Sequence, residues 1–302
     1  MGNGGSQAAH TVIGKTDPVV LITGCSEGGI GEALALAFAK RGCQVAASAR
    51  SLASMQSLSD HPRIFCLPLD VTVESSIAEA VETLLEKFRR IDIVVNNAGV
   101  PCFGPIAELP LSVLEKGFKT NVFGAVSLTQ AVVPHMVAQG KGMVVNVGSI
   151  STYAPGPWTG GYIASKCALN ALTDALRLEL KPFNVNVVLL EPGAISTRLA
   201  NTATDVIENS LNLKLYRPFK ESICKRAVLT KGPRSTSPEE FAFMTVQALL
   251  KQNPPRRFVY GHMSGTARML SYLPLWLRDY MFGKFFDIDS VVVKNPNLFI
   301  RH

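Results

Sequence analysis

Short apolar runs rich in β-branched residues alternate along the chain with longer segments in which apolar residues recur at helical spacing. Seven runs are predicted strands: Pro18–Ile22, Gln44–Ser48, Arg63–Leu67, Asp92–Val95, Gly142–Val147, Val185–Leu190 and Arg257–Tyr260. The predicted helices run from a glycine-rich turn to Lys40, over Glu74–Arg89, over Leu111–Ala138, from Gly160 to Lys181 ahead of Pro182, and onward from a capping Ser237. Strands separated by helices predict right-handed crossovers, hence a parallel sheet with helices on both faces.

Composition supports one large globular unit. Of the 302 residues, 47% are apolar and 18% charged, which excludes disorder for most of the chain. We expect a flexible Gly/Ser-rich leader at 1–16, a single domain at 17–262 and an amphipathic extension at 263–302.

Cysteine usage and hydropathy indicate the compartment. Six scattered cysteines without a C-x-x-C pair favour a reducing environment, with neither a disulfide framework nor a metal site. Neither a secretory signal nor a run of 18 apolar residues is visible, so we expect a cytoplasmic protein. The first residues also fit the N-myristoylation pattern at Gly2, but that pattern is short, and a flexible Gly-rich leader is the favoured interpretation.

The first strand leads directly into a glycine-rich turn and then a helix. In that turn, glycines let the backbone approach a pyrophosphate at the helix amino terminus, which predicts a doubly wound Rossmann sheet that binds a dinucleotide. The candidate contacts are Gly24, Ser26, Gly29, Ile30 and Gly31.

The end of the second strand indicates which dinucleotide is bound. An NAD site usually places a carboxylate there, whereas this chain has Arg50 and Ser51. A guanidinium can bind the adenosine 2′-phosphate in a bidentate manner, so NADP(H) is the predicted cofactor.

Four polar residues form the candidate catalytic group. Tyr162 and Lys166 lie four positions apart on a predicted helix, Ser149 follows the fifth strand, and Asn121 lies in the preceding long helix. Reducing a carbonyl by hydride produces an alkoxide that needs a proton. Tyr162 can supply it if the Lys166 ammonium favours the phenolate, while Ser149 holds the substrate oxygen and Asn121 holds a water that relays protons.

These motifs together resemble the short-chain dehydrogenase/reductase family over about residues 17–262. The matching positions are Thr23–Gly31, Asp70, Asn96–Gly99, Asn121, Ser149, Tyr162, Lys166, Pro192–Gly193 and Thr197. The resemblance implies the four residues above as a catalytic tetrad, and Tyr162 and Lys166 as cofactor contacts too. It implies further cofactor contacts at Asp70 near the adenine, at Val71, Asn97, Ala98, Gly99, Pro192 and Gly193, and at Ile195 and Thr197 near the nicotinamide carboxamide. It also implies a homodimer or homotetramer through the helices near 111–138 and 160–181.

One departure narrows the resemblance. The usual family turn is T-G-x-x-x-G-I-G, and here Gly28–Gly31 contains one residue more. This variant is similar to the branch of NADPH-dependent 1-acyldihydroxyacetone phosphate reductases, as are Lys181–Phe183, Leu213–Phe219 and Leu275–Leu277.

Charge separates the last third from the rest. The net charge of +7 lies entirely in residues 201–302, which hold 15 Lys+Arg and 8 Asp+Glu, while residues 1–200 hold 15 of each. We expect substrate specificity between about 195 and 230, where the cations are Lys214, Arg217, Lys220, Lys225 and Arg226. They suit a phosphate-bearing substrate, or else form a solvated basic face. Without a recognition motif, nucleic-acid binding is not expected.

Residues 266–286 combine large apolar and aromatic groups with Arg268, Arg278 and Lys284. Such a segment suits peripheral contact with an endoplasmic reticulum or lipid droplet membrane, a cover over the substrate pocket, or a subunit contact.

The sequence is therefore compatible with three functions. The leading one is NADPH-dependent reduction of a lipid-like ketone, with 1-acyldihydroxyacetone phosphate as the expected substrate. The second is oxidation or reduction of a bulky neutral steroid, triterpenoid or retinoid. The third is an NADPH-binding sensor or scaffold without turnover.

Overall fold

The computed structural model describes residues 17–197 and 213–290. The leader with Gly2, part of the expected substrate segment (198–212) and the end of the extension (291–302) lie outside the described residues. The described residues form seven strands: β1 (Val19–Thr23), β2 (Gln44–Ala49), β3 (Ile64–Pro68), β4 (Ile93–Asn96), β5 (Gly142–Val147), β6 (Val185–Pro192) and β7 (Arg257–Tyr260). All seven predicted strands are present, with bounds that differ by at most two residues.

The strands form one parallel sheet in the order β3-β2-β1-β4-β5-β6-β7. The helices are α1 (Ile30–Lys40), α2 (Glu74–Phe88), α3 (Leu111–Phe118), α4 (Gly124–Ala138), α5 (Gly160–Glu179), α6 (Lys220–Ala227), α7 (Pro238–Leu249), α8 (Ser264–Ser271) and α9 (Leu275–Phe285). The strand order reverses between β1 and β4, and such a switch point opens a crevice at the carboxyl ends of the strands.

Apolar layers cover both faces of the sheet. Because side chains alternate along a strand, Val20 and Ile22 pack with Leu34 of α1 and Phe241 of α7, whereas Leu21 belongs to the opposite layer. That layer contains the buried faces of α2 and α4. The predicted doubly wound α/β fold with a C-terminal helical region is confirmed.

Several helix boundaries differ from the prediction. The segment expected as one helix over 111–138 contains a π-helical turn, Lys119–Phe123, between α3 and α4. Helix α5 ends at Glu179, and Pro182 lies inside a short 3₁₀ turn that follows. The sequence did not predict α6 or the 3₁₀ segment Leu52–Leu58.

The C-terminal segment 266–286 is broken into α8 and α9. Pro274 immediately precedes α9, where its fixed φ and missing N–H suit a helix start. The predicted cap of α7 is present, since the Ser237 hydroxyl accepts a hydrogen bond from the Glu240 amide at 3.1 Å. Within 17–197 and 213–290, every helix is too short or too polar to cross a bilayer.

Candidate active site

The structure brings the sequence-predicted site residues to one edge of the sheet, in the turns that follow the carboxyl ends of the strands and on the helices beside them. The turn after β1 carries Gly24, Ser26 and Gly29, and α1 begins with Ile30 and Gly31. The remaining cofactor candidates are Arg50 and Ser51 after β2, Asp70 and Val71 after β3, Asn97, Ala98 and Gly99 after β4, Pro192 at the end of β6, and Gly193, Ile195 and Thr197 beyond it. Ser149 follows β5, whereas Asn121, Tyr162 and Lys166 lie on helical turns beside the edge.

The turn after β1 depends on glycine at two positions. Gly24 has a φ of +72°, and a Cβ placed on Gly31 would lie 2.4 Å from the Gly24 carbonyl oxygen. The Thr23 hydroxyl accepts hydrogen bonds from the backbone amides of Asn97 and Ala98, both at 3.0 Å. The β1 and β4 turns, which flank the switch point, are therefore held against each other.

Arg50 and Asp70 lie in the turns that follow the adjacent strands β2 and β3. Arg50 is exposed at the end of β2, and its charge acts on the Asp70 carboxylate. Burial raises the pKa of Asp70, but two hydrogen bonds from Thr72, at 2.9 and 2.7 Å, and the charges of Arg50 and Lys119 outweigh it. The pKa of Asp70 is therefore lowered, which keeps an anion beside an exposed guanidinium.

Asn121 lies in the π-helical turn between α3 and α4 and is only 1% exposed. Its Oδ1 accepts from the Val100 amide at 2.8 Å, and its Nδ2 donates to the Val100 carbonyl and to Ser165 Oγ, at 3.1 and 3.0 Å. Single π turns inside α-helices are frequent at functional sites. Here the turn fixes the Asn121 amide in one orientation.

Tyr162 and Lys166 occupy successive turns of α5, as predicted. Lys166 is 3% exposed, and its Nζ donates to the Val147 carbonyl at 2.7 Å while lying 5.8 Å from the centroid of the Tyr162 ring. Burial lowers the pKa of Lys166 to about 8. The ammonium is therefore near the phenol but is directed at the backbone of β5.

Ser149 lies at the start of a short 3₁₀ turn, beside Tyr162. Its hydroxyl accepts from the Ser151 amide at 3.2 Å and from the Ser151 hydroxyl at 2.9 Å. Burial raises the pKa of Tyr162, while the neighbouring Ser149 hydroxyl and the charge of Arg226 oppose that rise. The phenol is therefore protonated at neutral pH, as a proton donor must be.

The segment after β6 completes the edge. The Gly193 amide donates to the Tyr260 carbonyl at 2.8 Å, and a Cβ on Gly193 would lie 2.4 Å from the His262 carbonyl oxygen. Ile195 is buried against the core, while Thr197 is half-buried. This close approach to the turn after β7 explains why a glycine follows Pro192.

The sequence did not reveal two neighbours of the candidate tyrosine. The Phe103 ring is stacked on the Tyr162 ring, with centroids 6.2 Å apart and planes inclined by 13°. Arg226 of α6 directs its charge at the same phenol. Neither neighbour is marked by a local motif, because both lie far from Tyr162 in the chain. In the described part of the chain, groups of His, Cys, Asp or Glu that could hold a metal are not found.

Known proteins that are similar to this chain belong to one family of dehydrogenases and reductases. A family model described as short chain dehydrogenase matches residues 18–207. The NADPH-dependent 1-acyldihydroxyacetone phosphate reductase of Schizosaccharomyces pombe is 34% identical over 281 residues, covering 86% of this chain and 91% of the relative. Short-chain dehydrogenase RED1 of Pyricularia oryzae is 32% identical over 278 residues, covering 90% of this chain and 95% of the relative.

Among solved structures, a short-chain dehydrogenase from Streptomyces avermitilis superposes with a TM-score of 0.74 at 27% identity. The superposition covers 92% of this chain and 99% of that one. The family model spans more than half of the chain, and both curated relatives exceed 30% identity over most of its length. This chain belongs to the short-chain dehydrogenase family.

Proposed function

We propose that this chain reduces the ketone of a lipid-like substrate, 1-acyldihydroxyacetone phosphate, to a secondary alcohol, with NADPH as the hydride donor. The observation that carries the proposal is the convergence of Ser149, Tyr162, Lys166 and Asn121 at the sheet edge, beside a cluster of aromatic side chains. The chain is an NADP(H)-dependent oxidoreductase of the short-chain dehydrogenase family, so the predictions of an enzyme and of NADP(H) as its cofactor are confirmed.

The residues at the edge fit a dinucleotide. Gly24 and Gly31 keep side chains out of the turn where the pyrophosphate would lie, and the first amides of α1 have no partner within the helix. Arg50 is exposed at the end of β2, where it would bind the 2′-phosphate that distinguishes NADPH from NADH. When bound, the nicotinamide supplies the hydride.

The chain's own residues then handle the proton. Tyr162 is protonated at neutral pH and would donate to the carbonyl oxygen as negative charge develops there. The Ser149 hydroxyl lies beside the phenol and would hydrogen-bond the same oxygen. Lys166 places a positive charge behind the ring, which favours the phenolate left after proton transfer.

Asn121 lies near Lys166, beside the backbone of Gly99. A Cβ built on Gly99 would lie 3.4 Å from Asn121 Oδ1 and 3.8 Å from Lys166 Nζ, so both groups line the same backbone. Hydrogen bonds from the Asn121 side-chain amide to the Val100 carbonyl and to Ser165 Oγ hold this residue in the π turn. We propose that a water bound in this space passes protons to Lys166.

The aromatic surroundings of Tyr162 suit a lipid-like substrate. Trp158, Tyr216 and Phe219 form an aromatic cluster with ring centroids 5.6 to 6.0 Å apart. Phe103, stacked on the catalytic phenol, packs against the same cluster. An ester-linked acyl chain leaving the reacting ketone would bury apolar surface here.

A substrate screen tests the proposal. NADPH oxidation is followed at fixed enzyme concentration with 1-acyldihydroxyacetone phosphate and with steroid, triterpenoid and retinoid ketones. We expect the acyl phosphate to give the highest kcat/KM, and a higher value for any neutral ketone would contradict the assignment. A protein that binds NADPH but reduces none of these ketones would instead fit a sensor or scaffold.

We propose a homodimer or homotetramer through the α4 and α5 side of the molecule. Leu111, Phe123 and Leu178 expose large apolar side chains there, and a mainly apolar groove of about 730 Å³ runs between α2 and α3–α4. Light scattering after size exclusion measures the mass directly. A monomer, or a mass unchanged by Phe123→Asp together with Leu178→Asp, would contradict this arrangement.

We also propose that α8 and α9 contact an anionic bilayer surface from the cytoplasmic side. Tyr272 and Trp276 are 77% and 70% exposed, and Arg268, Arg278 and Lys284 lie on the same two helices. The extension also packs against the site, because Phe282 and Phe286 belong to the cluster around Trp158. Point variants therefore test membrane contact better than deletion.

A further inference from the structure

One cation of the basic segment differs from the others in its surroundings. Lys214, Arg217 and Lys220 are exposed. Lys225 is directed at the extension, where its Nζ donates to the Phe285 carbonyl at 2.6 Å and lies 3.4 Å from the Asp287 carboxylate. Arg226 is half-buried, and within 17–197 and 213–290 it forms neither a hydrogen bond nor an ion pair.

Helix α6 directs Arg226 inward because of what the same helix face packs against. Ser222, Ile223 and Ala227 of α6 are buried, and Arg226 lies one turn beyond Ser222. The Trp158 indole donates to Ser222 Oγ at 2.9 Å, and Ser222 Oγ donates onward to the carbonyl of Phe286. These contacts hold α6 between the extension and the start of α5.

That position puts α6 beside the start of α5, the helix that carries the catalytic phenol. Trp158 precedes α5 by two residues, and α5 carries Tyr162 in its first turn. The charge of Arg226 acts on the Tyr162 phenol, and burial lowers the pKa of the guanidinium to about 10. A desolvated cation that lacks an anion is unfavourable, so the site is complementary to a ligand that brings a negative charge.

The neighbouring phenol limits where that charge can lie. Tyr162 would mark the position of the substrate carbonyl oxygen, so a negative charge carried near the ketone would lie in the region where the charge of Arg226 acts. In 1-acyldihydroxyacetone phosphate, the phosphate is carried by a carbon bonded directly to the ketone carbon. A guanidinium binds phosphate or carboxylate through two parallel N–H donors, which fixes orientation as well as charge.

We propose that Arg226 is the anion-binding residue of the substrate pocket, and that it selects ketones with a phosphate or carboxylate next to the carbonyl. This inference rests on the proposed function and assigns its specificity to one side chain. The exposed cations Lys214, Arg217 and Lys220 form the solvated part of the basic face.

The test compares two substrates that differ only in the charge. Values of kcat and KM are measured at saturating NADPH for 1-acyldihydroxyacetone phosphate and for the same compound without phosphate. Arg226→Met should lower kcat/KM for the phosphate by about 100-fold, mainly through KM, because a charge-assisted hydrogen bond is lost. The neutral ketone should change less than about threefold, and Arg226→Lys should retain part of the preference.

Matched variants decide between roles. Arg217→Met and Lys220→Met remove exposed charges nearby and should leave both substrates unaffected. NADPH binding, measured by fluorescence, shows that each variant is folded, and Arg226→Gln replaces Arg226→Met if the latter fails to bind. Equal losses on both substrates would make Arg226 a residue that acts on Tyr162, and would overturn the inference. Loss of the phosphate preference in an exposed-cation variant would overturn it as well.

The same measurements separate this inference from the proposed function. If the wild type ignores 1-acyldihydroxyacetone phosphate but reduces another ketone bearing an adjacent phosphate or carboxylate, and Arg226→Met removes that preference, only the proposed substrate is wrong. A wild-type enzyme that reduces neutral ketones as well as their anionic counterparts overturns the role of Arg226.

Discussion

The carboxyl edge of the sheet and the C-terminal helices treat their polar groups differently. At the edge, Asn121 and Lys166 are buried and hydrogen-bonded to backbone carbonyls, so the framework fixes their positions. On the C-terminal side, most cations are exposed, whereas Arg226 is half-buried and has no ion-pair partner among the described residues. The proposed reaction chemistry thus lies on elements that the sheet holds in place, whereas the proposed substrate selection lies on α6.

A small contact joins these two regions. Trp158 has a φ of +66°, a backbone conformation that is unfavourable for a bulky side chain, and its indole bonds to Ser222 of α6. The surrounding aromatic contacts of Tyr216 and Phe219 offset that cost. Because the contact is local, changes in α6 can alter specificity without disturbing the sheet edge.

Removing the Tyr162 hydroxyl should break the edge region with the largest effect. Tyr162→Phe deletes the proton donor but keeps the ring that stacks on Phe103, so we expect kcat to fall about 1000-fold or more. NADPH binding by fluorescence should persist. Tyr260→Phe is the matched control, because its phenol bonds to Glu240 rather than facing the site. Similar losses in both variants would exclude the assigned role of Tyr162.

Replacing Lys166 should lower the activity of the enzyme and raise its stability. We expect Lys166→Met to lower kcat about 100-fold, because the charge that favours the phenolate is lost. Burial lowers the pKa of Lys166 from 10.5 to about 8, so the folded protein bears the cost of a desolvated charge at neutral pH. Removing that charge should stabilise the variant, and losing the hydrogen bond to Val147 should offset part of the gain. The expected net increase in the free energy of unfolding at pH 7 is roughly 1 to 3 kcal/mol.

The pH dependence of that gain provides the check. Below about pH 8, Lys166 is charged in both the folded and the unfolded state, and the wild type bears the full cost. Between 8 and 10.5 only the unfolded state keeps the proton, so wild-type stability rises with pH and the advantage of the variant shrinks. Urea unfolding of cofactor-free protein at several pH values measures this. An advantage that grows above pH 8 would contradict the buried-ammonium account.

Cofactor choice tests the other end of the edge. Arg50→Ala should raise KM for NADPH about 30-fold and leave KM for NADH within a factor of two or three, because only NADPH carries the 2′-phosphate. Arg41→Ala removes an exposed charge at the opposite end of α1 and serves as the control. An unchanged ratio of the two Michaelis constants would move the 2′-phosphate contact to another cation, with Lys119 beside Asp70 as the next candidate.

The fold was predictable from sequence because its signals are local. Apolar periodicity located the strands, and the glycine turn marked the switch point beside β1. The π turn around Asn121 was not predictable, since shifting a few backbone hydrogen bonds leaves the apolar pattern almost unchanged. Helix α6 was missed because four of its eight residues are charged, which resembles a solvated loop.

The candidate site divides in the same way. Ser149, Tyr162 and Lys166 have fixed spacings that a sequence reveals. Arg226 was visible only as one of five cations, because its special position depends on long-range packing through Ser222. Contacts between distant segments, such as those proposed to determine specificity, are therefore visible only in the folded structure.

Membrane contact is the smallest expected effect and the one that bears on the C-terminal helices alone. Tyr272→Ser together with Trp276→Ser removes two exposed rings, so binding to anionic liposomes in a co-sedimentation assay should weaken roughly tenfold. Phe243→Ser, which removes a ring that is 52% exposed on α7, should leave binding unchanged. Turnover of a soluble ketone should be unaffected, because neither ring belongs to the cluster around Trp158. Equal binding by the double variant and the wild type would contradict membrane contact through α8 and α9, and would leave packing against the cluster around Trp158 or a subunit contact as the role of these helices.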